Sequence, residues 1–208
     1  VAAFTLITSS CIALTKDNLK ARLAYSTISQ LAYIVLGAAL ANGLGIMGGS
    51  MHIAMHAFGK ITLFFCAGAI MVASHKTEIS EMDGLGKVMP ITFIAFLIGS
   101  LSVIGLPPLG GSWSKWYLML SSAEAGYTIF IIVFMVSSLL NIAYLMPIVA
   151  RGFFSTPKPS QSKNDEHSES ISFWHGLQIG NIKEAPPFCL LAMTLSSFGC
   201  IVLFIYAD

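Results

Sequence analysis

Long apolar stretches separated by short polar connections run through most of the chain. A helix that crosses a membrane needs roughly 20 mostly apolar residues. Stretches of about this length, the first of them truncated, lie at residues 1–14, 23–41, 46–73, 88–106, 127–150 and 186–206. The pattern therefore predicts an all-α fold, a polytopic bundle of transmembrane helices in a multi-pass protein of the cell (plasma) membrane.

One break interrupts this pattern in the middle of the chain. The run Gly105-Leu-Pro-Pro-Leu-Gly-Gly111 contains two prolines, which remove backbone donors and clash with the preceding turn, and glycines that relax the backbone. The apolar piece behind it, residues 112–123, is too short for a comfortable span. We therefore expect a discontinuous helix near 105–126, and such breaks often mark ion sites in transporters.

The polar segments divide the chain into three parts. Residues 1–150 are the predicted transmembrane core, residues 151–185 a polar extramembrane loop rich in Ser, Lys, Asp, Glu and Pro, and residues 186–208 a C-terminal transmembrane helix. The chain opens at Val1, already inside an apolar run. We therefore expect it to be the C-terminal part of a longer membrane protein.

The basic residues of the connections give a weak indication of orientation. Counting crossings along the chain divides them into two groups, Lys16, Lys20, Arg22, Lys76 and Lys87 on one side and Arg151, Lys158, Lys163 and Lys183 on the other. Cytoplasmic connections of membrane proteins carry an excess of lysine and arginine. The division is nearly even, so the rule only favours the Lys16 side as the cytoplasmic one.

Composition excludes several classes of function. The chain is 55% hydrophobic and 10% charged, with a net charge of +1, whereas a soluble domain carries about 25% charged residues. A nearly neutral chain has no electrostatic basis for binding nucleic acid or an acidic soluble partner. The four cysteines lie apart in apolar stretches, and no ligand set for haem or iron–sulfur is present. No cofactor and no metal site is therefore predicted.

Three basic side chains stand in register within one apolar segment. His52, His56 and Lys60 are spaced i, i+4 and i+8, so on a helix they line one stripe about 12 Å long. Ionisable groups inside a membrane cost several kcal/mol and normally face the bundle interior or a wet cavity. Burial disfavours the charged form of a lysine and so allows proton exchange near neutral pH. The stripe indicates a proton relay.

Other interpretations of this stripe remain open. Lys60 would snorkel to the headgroups if it lay near a helix end, or form a purely structural buried hydrogen bond. His52 and His56 would be hydrogen-bonded core histidines, or they would share a zinc ion, since their i, i+4 spacing allows it. A zinc protease would need H-E-x-x-H, and no acid lies within this segment.

Lys115 is the second basic residue expected at membrane depth. It follows the break in Gly110-Gly-Ser-Trp-Ser-Lys-Trp116 and opens the short helix, whose positive N-terminal end would disfavour its ammonium. The alternative is an interfacial lysine between Trp113 and Trp116. Two polar stripes could carry water or form interhelical hydrogen bonds, namely Ser26, Ser29, Gln30 and Tyr33 in one helix and Ser137 or Ser138, Asn141 and Tyr144 in another.

Three motifs together resemble the antiporter-like subunits of respiratory complex I and of Mrp-type multisubunit Na⁺/H⁺ antiporters. Residues 17–30, Asp-Asn-Leu-Lys-Ala-Arg-Leu-Ala-Tyr-Ser-Thr-Ile-Ser-Gln, are similar to the D-x-K-R-x-x-A-Y-S-S-I-S-[HQ] segment. Residues 52–60 match H-x-x-x-H-A-x-x-K, and residues 105–115 match G-[LIV]-P-P-x-x-G-F-x-S-K, with Ser112 in place of the phenylalanine. Order and spacing agree across residues 16–120.

The resemblance implies a function and a role for each basic residue. His52, His56 and Lys60 would belong to a central proton relay, and Lys115 would correspond to the lysine or acid usually assigned to proton exit. The chain would translocate protons, or exchange Na⁺ for H⁺, with other membrane subunits of a respiratory or antiporter complex. Membership in an NADH:quinone oxidoreductase stays open, without redox chemistry in this chain. The alternative is a structural scaffold subunit that does not transport.

Overall fold

Eight α-helices make up almost all of the described chain, which comprises residues 1–155, 178–179 and 182–206 of a computed structural model. A short 3-10 turn at Ile79–Glu81 and a two-residue antiparallel pairing of β1 (Gln178–Ile179) with β2 (Ile182–Lys183) complete it. The all-α prediction is confirmed. The helices are α1 (Ala2–Thr15), α2 (Leu19–Ala39), α3 (Gly43–Ser74), α4 (Leu85–Val88), α5 (Pro90–Ile104), α6 (Gly111–Glu124), α7 (Thr128–Phe154) and α8 (Pro187–Ile205).

Three of these helices, α3, α7 and α8, are long and apolar enough to cross a membrane on their own. α1 and α5 are apolar but shorter. α2 has 21 residues and carries a polar face of serines and a glutamine that is buried inside the bundle. The chain is a multi-pass membrane protein, and many of its large apolar side chains face outward, as they do in contact with lipid.

The predicted discontinuous helix is present between α5 and α6. α5 ends at Ile104, and Gly105 follows in the left-handed region at φ 88°. A side chain at Gly105 would be strained by that backbone and would also meet the Lys115 side chain at 2.8 Å. A Cβ at Gly111 would collide with the Ser102 carbonyl. The glycines of the break therefore let the two half-helices approach each other at membrane depth.

The sidedness expected for Arg151 was wrong, because that division holds only if residues 112–123 cross the membrane separately. α5 and α6 together make one crossing, so α7 returns the chain to the end where α5 began. Gly84 N donates to the Arg151 carbonyl at 3.1 Å, which places Arg151 beside the turn that precedes α4. α7 itself continues through Arg151 to Phe154. The remainder of the loop expected at 151–185 lies largely outside the described residues.

As a result, the positive side chains at the surface of the described chain gather at one end of the bundle. We call this the basic end; it holds Lys16, Lys20, Arg22, Lys76, Lys87 and Arg151. The opposite end includes residues 40–43 and 124–128, where Asn42 donates to Glu124 Oε2 at 3.2 Å. Within the described ranges this second end has no lysine or arginine.

The basic end is closed by hydrogen bonds between connections that are far apart in sequence. Asp17 accepts from the Ser80 hydroxyl at 2.6 Å, and Asn18 donates to Glu78 at 3.1 Å while its Oδ1 caps α2 through Ala21 N. Glu184 is 1% exposed and accepts from Ile91 N at 2.8 Å and from the Thr92 hydroxyl at 2.7 Å. α5 lacks a side-chain cap from its own N-cap residue. Glu184 satisfies one backbone donor of its first turn, Ile91 N, and so connects the segment before α8 to α5.

Apolar packing surrounds the polar interior in two clusters. The larger one joins α2, α3, α5, α7 and α8 through side chains such as Leu23, Leu63, Phe93, Phe96 and Leu145. The smaller one joins α1, α2, α6 and α7, and includes Leu36, Leu118 and Phe134. The polar residues of α2, α3, α6 and α7 lie between these clusters, which keep lipid away from them.

Candidate functional site

The predicted stripe on α3 faces the inside of the bundle. His52 and Lys60 are 2% and 5% exposed, and His56 between them is partly buried. The imidazole rings of His52 and His56 lie nearly parallel, with 6.2 Å between centroids and 13° between planes. One face of α3 therefore presents three titratable groups in a row toward α2.

Lys60 lies near the middle of α3, and its ammonium is bound inside the protein. Nζ donates to Ser26 Oγ at 2.6 Å and to the Leu23 carbonyl at 3.3 Å, both on α2. Tyr144 Oη of α7 lies 2.7 Å from the same Ser26 oxygen and also bonds Asn141 Oδ1. The structure thus brings together the two polar stripes that the sequence places on separate helices, and their meeting point is Lys60. A snorkelling lysine would not have this environment.

His52 is hydrogen-bonded at both ring nitrogens. Nδ1 lies 2.9 Å from Ser114 Oγ of α6, and Nε2 lies 3.1 Å from Gln30 Oε1 of α2. Ser114 Oγ is also 3.2 Å from the Gly111 carbonyl, to which its hydroxyl can donate. His52 therefore joins α2, α3 and α6, and either ring nitrogen can carry the proton, provided that the Ser114 hydroxyl and the Gln30 amide turn accordingly.

Lys115 is buried beside the broken helix and is only 4% exposed. Its ammonium donates to the carbonyls of Val103 and Ile104, at 3.0 and 2.8 Å, and to Ser138 Oγ at 3.3 Å. It also lies 4.9 Å from the centre of the Tyr33 ring. A cavity of about 410 Å³ between α6 and α7 is lined by Lys115 and Ser138 together with largely apolar side chains.

These contacts bear on both interpretations of Lys115. The N-terminal end of α6 was expected to disfavour its ammonium, and the side chain reaches back to the last carbonyls of α5. Those carbonyls carry the negative end of the α5 dipole, which favours a cation. The interfacial alternative does not fit, because Trp116 is exposed while Lys115 points into the bundle. Trp113 lies against Phe204 of α8, with 6.1 Å between the ring centroids.

The shared-metal interpretation of the histidines has no support in this geometry. Within the described ranges, no group of three or more His, Cys, Asp or Glu residues comes together. His52 uses both ring nitrogens for hydrogen bonds to Ser114 and Gln30, so neither is free to bind an ion in this arrangement.

Several polar atoms of the site are buried without a hydrogen-bond partner in the described part of the chain. They include His56 Nδ1, Gln30 Nε2 and Asn141 Nδ2. An unsatisfied buried polar group costs about 1–3 kcal/mol. These atoms lie along the same interior that holds Lys60 and His52, so they mark the positions where water would complete the network.

Sequence reasoning missed some of the groups that form the site. Contacts made by the backbone carbonyls of Leu23, Val103 and Ile104 cannot be predicted from residue types. The glycine at position 105 indicates only where α5 ends. Ser114 was visible only as part of the motif around Lys115. The stacking of Tyr33 on His52, with 5.3 Å between ring centroids, depends on how α2 packs against α3.

Comparison with known proteins points to a single family. The sequence model of the family described as NADH:quinone oxidoreductase/Mrp antiporter, TM, matches residues 1–141. NADH-quinone oxidoreductase subunit N of Desulforudis audaxviator is 39% identical over 160 residues, which is 76% of this chain and 32% of that protein. The chain thus spans about a third of the length of this relative.

Solved structures share the fold over the whole chain. A chain of the Mrp complex from Dietzia sp. superposes with a TM-score of 0.83 at 24% identity, covering 100% of this chain and 43% of that one. A chain of respiratory complex I from Thermus thermophilus superposes with a TM-score of 0.77 at 20% identity, covering 100% and 40%. At these identities the likeness establishes the fold alone.

The unpartnered atoms lead to a structural prediction. An experimental density map of the full protein in lipid should contain an ordered water within hydrogen-bond distance of His56 Nδ1, because no protein group among the described residues serves that atom. Further waters are expected beside Gln30 Nε2 and Asn141 Nδ2. A dry, apolar contact at His56 Nδ1 in a map that resolves other buried waters would contradict the prediction.

Proposed function

The chain belongs to the NADH:quinone oxidoreductase/Mrp antiporter membrane family, and from this premise we propose that it carries protons through the membrane as part of a larger assembly. The observation that carries the proposal is a row of basic groups inside the bundle, namely the buried Lys60, His52 and Lys115 and the partly buried His56. The members at both ends of the row are lysines bound by neutral oxygens. Such groups are costly in a membrane and typically belong to ion or proton pathways.

The proton would pass along α3 and then to α6. Lys60 exchanges its proton with Ser26 and the Tyr144–Asn141 pair, or with water beside His56. The stacked His56 and His52 continue the path. His52 takes a proton at one ring nitrogen and releases it from the other as its partners Ser114 and Gln30 reorient. Lys115 is the last group of the row, next to the cavity between α6 and α7.

Repulsion between the two ammonium groups would give the transfer its direction. Lys60 and Lys115 share an interior of low dielectric constant, in which like charges interact strongly. A proton that arrives at Lys60 therefore favours release of the proton from Lys115. The Val103 and Ile104 carbonyls hold Lys115 charged until that moment, because they lie at the negative end of α5.

The distribution of charge supports one orientation. The basic end carries the surface lysines and arginines of the described chain, and the positive-inside rule assigns such an end to the cytoplasm. Lys115 lies on the half-helix that runs from the break toward the opposite end, which ends at Glu124. This orientation supports uptake of protons from the cytoplasmic side through Lys60 and their release through Lys115.

The assembly around the chain is part of the proposal. The relatives bear the names of subunits of NADH-quinone oxidoreductases, and a chain with the same fold belongs to an Mrp complex. We therefore expect other membrane subunits as partners and H⁺ or Na⁺ as the transported ion. The residues described here carry the ion path, and redox chemistry would be supplied by other subunits.

Replacing Lys60 tests the proposal directly. In the full-length protein within its native complex, Lys60→Ala should reduce proton transport about tenfold or more while the complex still assembles, because the relay loses its titratable group. Lys60→Arg should fail as well, since arginine is not deprotonated in proteins. Transport is measured with a pH-sensitive dye in proteoliposomes, and Lys87→Ala, at an exposed lysine, is the matched control. Normal transport by both Lys60 variants would instead support the scaffold alternative.

His56 distinguishes a relay from a packing residue. His56→Ala should slow transport more than His56→Gln, because glutamine can still hold a water beside the unpartnered position at His56 Nδ1. Initial rates of proton transport are measured at saturating driving force. Each rate is divided by the amount of complex in the same vesicles. Equal rates for wild type and His56→Ala would remove this histidine from the path. Stoichiometric zinc that is lost on mutation would revive the metal interpretation.

Lys115 tests the release step. Lys115→Ala should impair transport about tenfold or more, and Lys115→Glu should retain part of it, because a carboxyl group is again titratable at that position. The α5 carbonyls favour a cation there, so the glutamate variant should remain slower than wild type. Steady-state proton flux in the reconstituted complex is the measurement. Undiminished flux in Lys115→Ala would show that protons leave by another group.

A further inference from the structure

Tyr33 occupies the place where His52 and Lys115 come together. It is fully buried on α2. The Lys115 ammonium is 4.9 Å from the centre of its ring. The His52 imidazole stacks on the same side chain, with 5.3 Å between centroids and 24° between planes. One aromatic ring thus contacts both of the basic groups between which the last transfer of the proposed path would take place.

The hydroxyl of Tyr33 is directed elsewhere. Tyr33 Oη points to α7, where it donates to the Phe134 carbonyl at 3.3 Å. The Phe134 ring stacks on Tyr33 as well, with 5.1 Å between centroids and 19° between planes. The hydroxyl also interacts with Ser138, which accepts a hydrogen bond from Lys115. Tyr33→Phe removes the hydroxyl and leaves the ring, so substitution still distinguishes the two contributions.

The ring is a substantial part of what surrounds the Lys115 ammonium. The other contacts of this group within the described ranges are two backbone carbonyls and the Ser138 hydroxyl, all of them neutral. The face of an aromatic ring is negative, and it attracts a desolvated cation by up to about 2 kcal/mol, more than at an exposed site. The ring also stacks on the His52 imidazole, a contact that is favourable between aromatic rings.

We propose that the Tyr33 ring is a positioning element that holds the Lys115 ammonium and the His52 imidazole in register for proton transfer. This inference rests on the proposed function and deepens it. The aromatic face stabilises positive charge on either neighbour and fixes their separation. The phenolic hydroxyl anchors the ring to α7 and does not carry the proton. Tyr33 thereby acts through Lys115 and His52.

Substitutions that separate the ring from the hydroxyl test the inference. In the reconstituted full complex, Tyr33→Phe should transport protons at close to the wild-type rate, because the ring remains. Tyr33→Leu should lose about tenfold in rate, and its pH–rate profile should move toward lower pH, because the Lys115 ammonium loses a stabilising neighbour. Phe134→Leu is the matched control, since it removes a ring that stacks on Tyr33 but has no ring contact with His52 and does not lie under Lys115.

A graded series of fluorinated side chains at position 33 tests the inference even if Tyr33→Leu fails to fold. Phenylalanines with an increasing number of fluorine atoms, incorporated at position 33, weaken the negative face of the ring while its size changes little. The pH–rate profile should move stepwise toward lower pH along this series. A purely structural role would leave the profile in place.

Three results would overturn the inference. A loss in Tyr33→Phe as large as that in Tyr33→Leu would identify the hydroxyl as the active group. An equal shift of the pH–rate profile in Phe134→Leu would assign the effect to packing. Unchanged profiles throughout the fluorinated series, with Lys115→Ala still inactive, would remove Tyr33 from the mechanism and leave the proposed function intact. Normal transport by Lys115→Ala would show that protons leave by another group, and normal transport by both Lys60 variants would refute the proposed function itself.

Discussion

Burial of two lysine ammonium groups that contact no carboxylate within the described ranges is the constraint on which the rest of the site depends. Lys60 and Lys115 are surrounded by hydroxyl groups, backbone carbonyls and an aromatic ring. A buried salt bridge would hold each lysine permanently charged. Neutral partners stabilise the ammonium less, so loss of its proton costs less than it would from a salt bridge. The polar residues of α2, α6 and α7 are arranged around this requirement.

The broken helix meets that requirement for Lys115. An unbroken helix uses its carbonyls internally and offers none to a ligand. Ending α5 at Ile104 frees two carbonyls at the depth of the Lys115 side chain, and the glycines at 105 and 111 let α6 begin close enough for the lysine to reach back to them. The break therefore provides a binding site for a cation where regular structure could not.

The polar interior depends on packing between helices that are distant in sequence. Tyr144 of α7 reaches Ser26 of α2, which binds Lys60 of α3, and Ser114 of α6 reaches His52. Each of these bonds holds two helices in register as well as serving a titratable group. Interhelical hydrogen bonding and the proposed proton path therefore use the same side chains, so a substitution at one of them is expected to affect both.

The class of the protein, the break and the basic residues at membrane depth could be predicted from the sequence alone. Hydropathy and helical spacing are local properties, so they indicated the apolar helices, the stripe of His52, His56 and Lys60, and the interruption after Ile104. The groups that these side chains contact became known from the packing of the helices, because the partners come from other helices and partly from backbone carbonyls. The same holds for sidedness: α5 and α6 form one crossing, so Arg151 joins the basic end. The expected sidedness of Arg151 failed because it requires the short piece at 112–123 to cross the membrane separately, whereas α5 and α6 cross together.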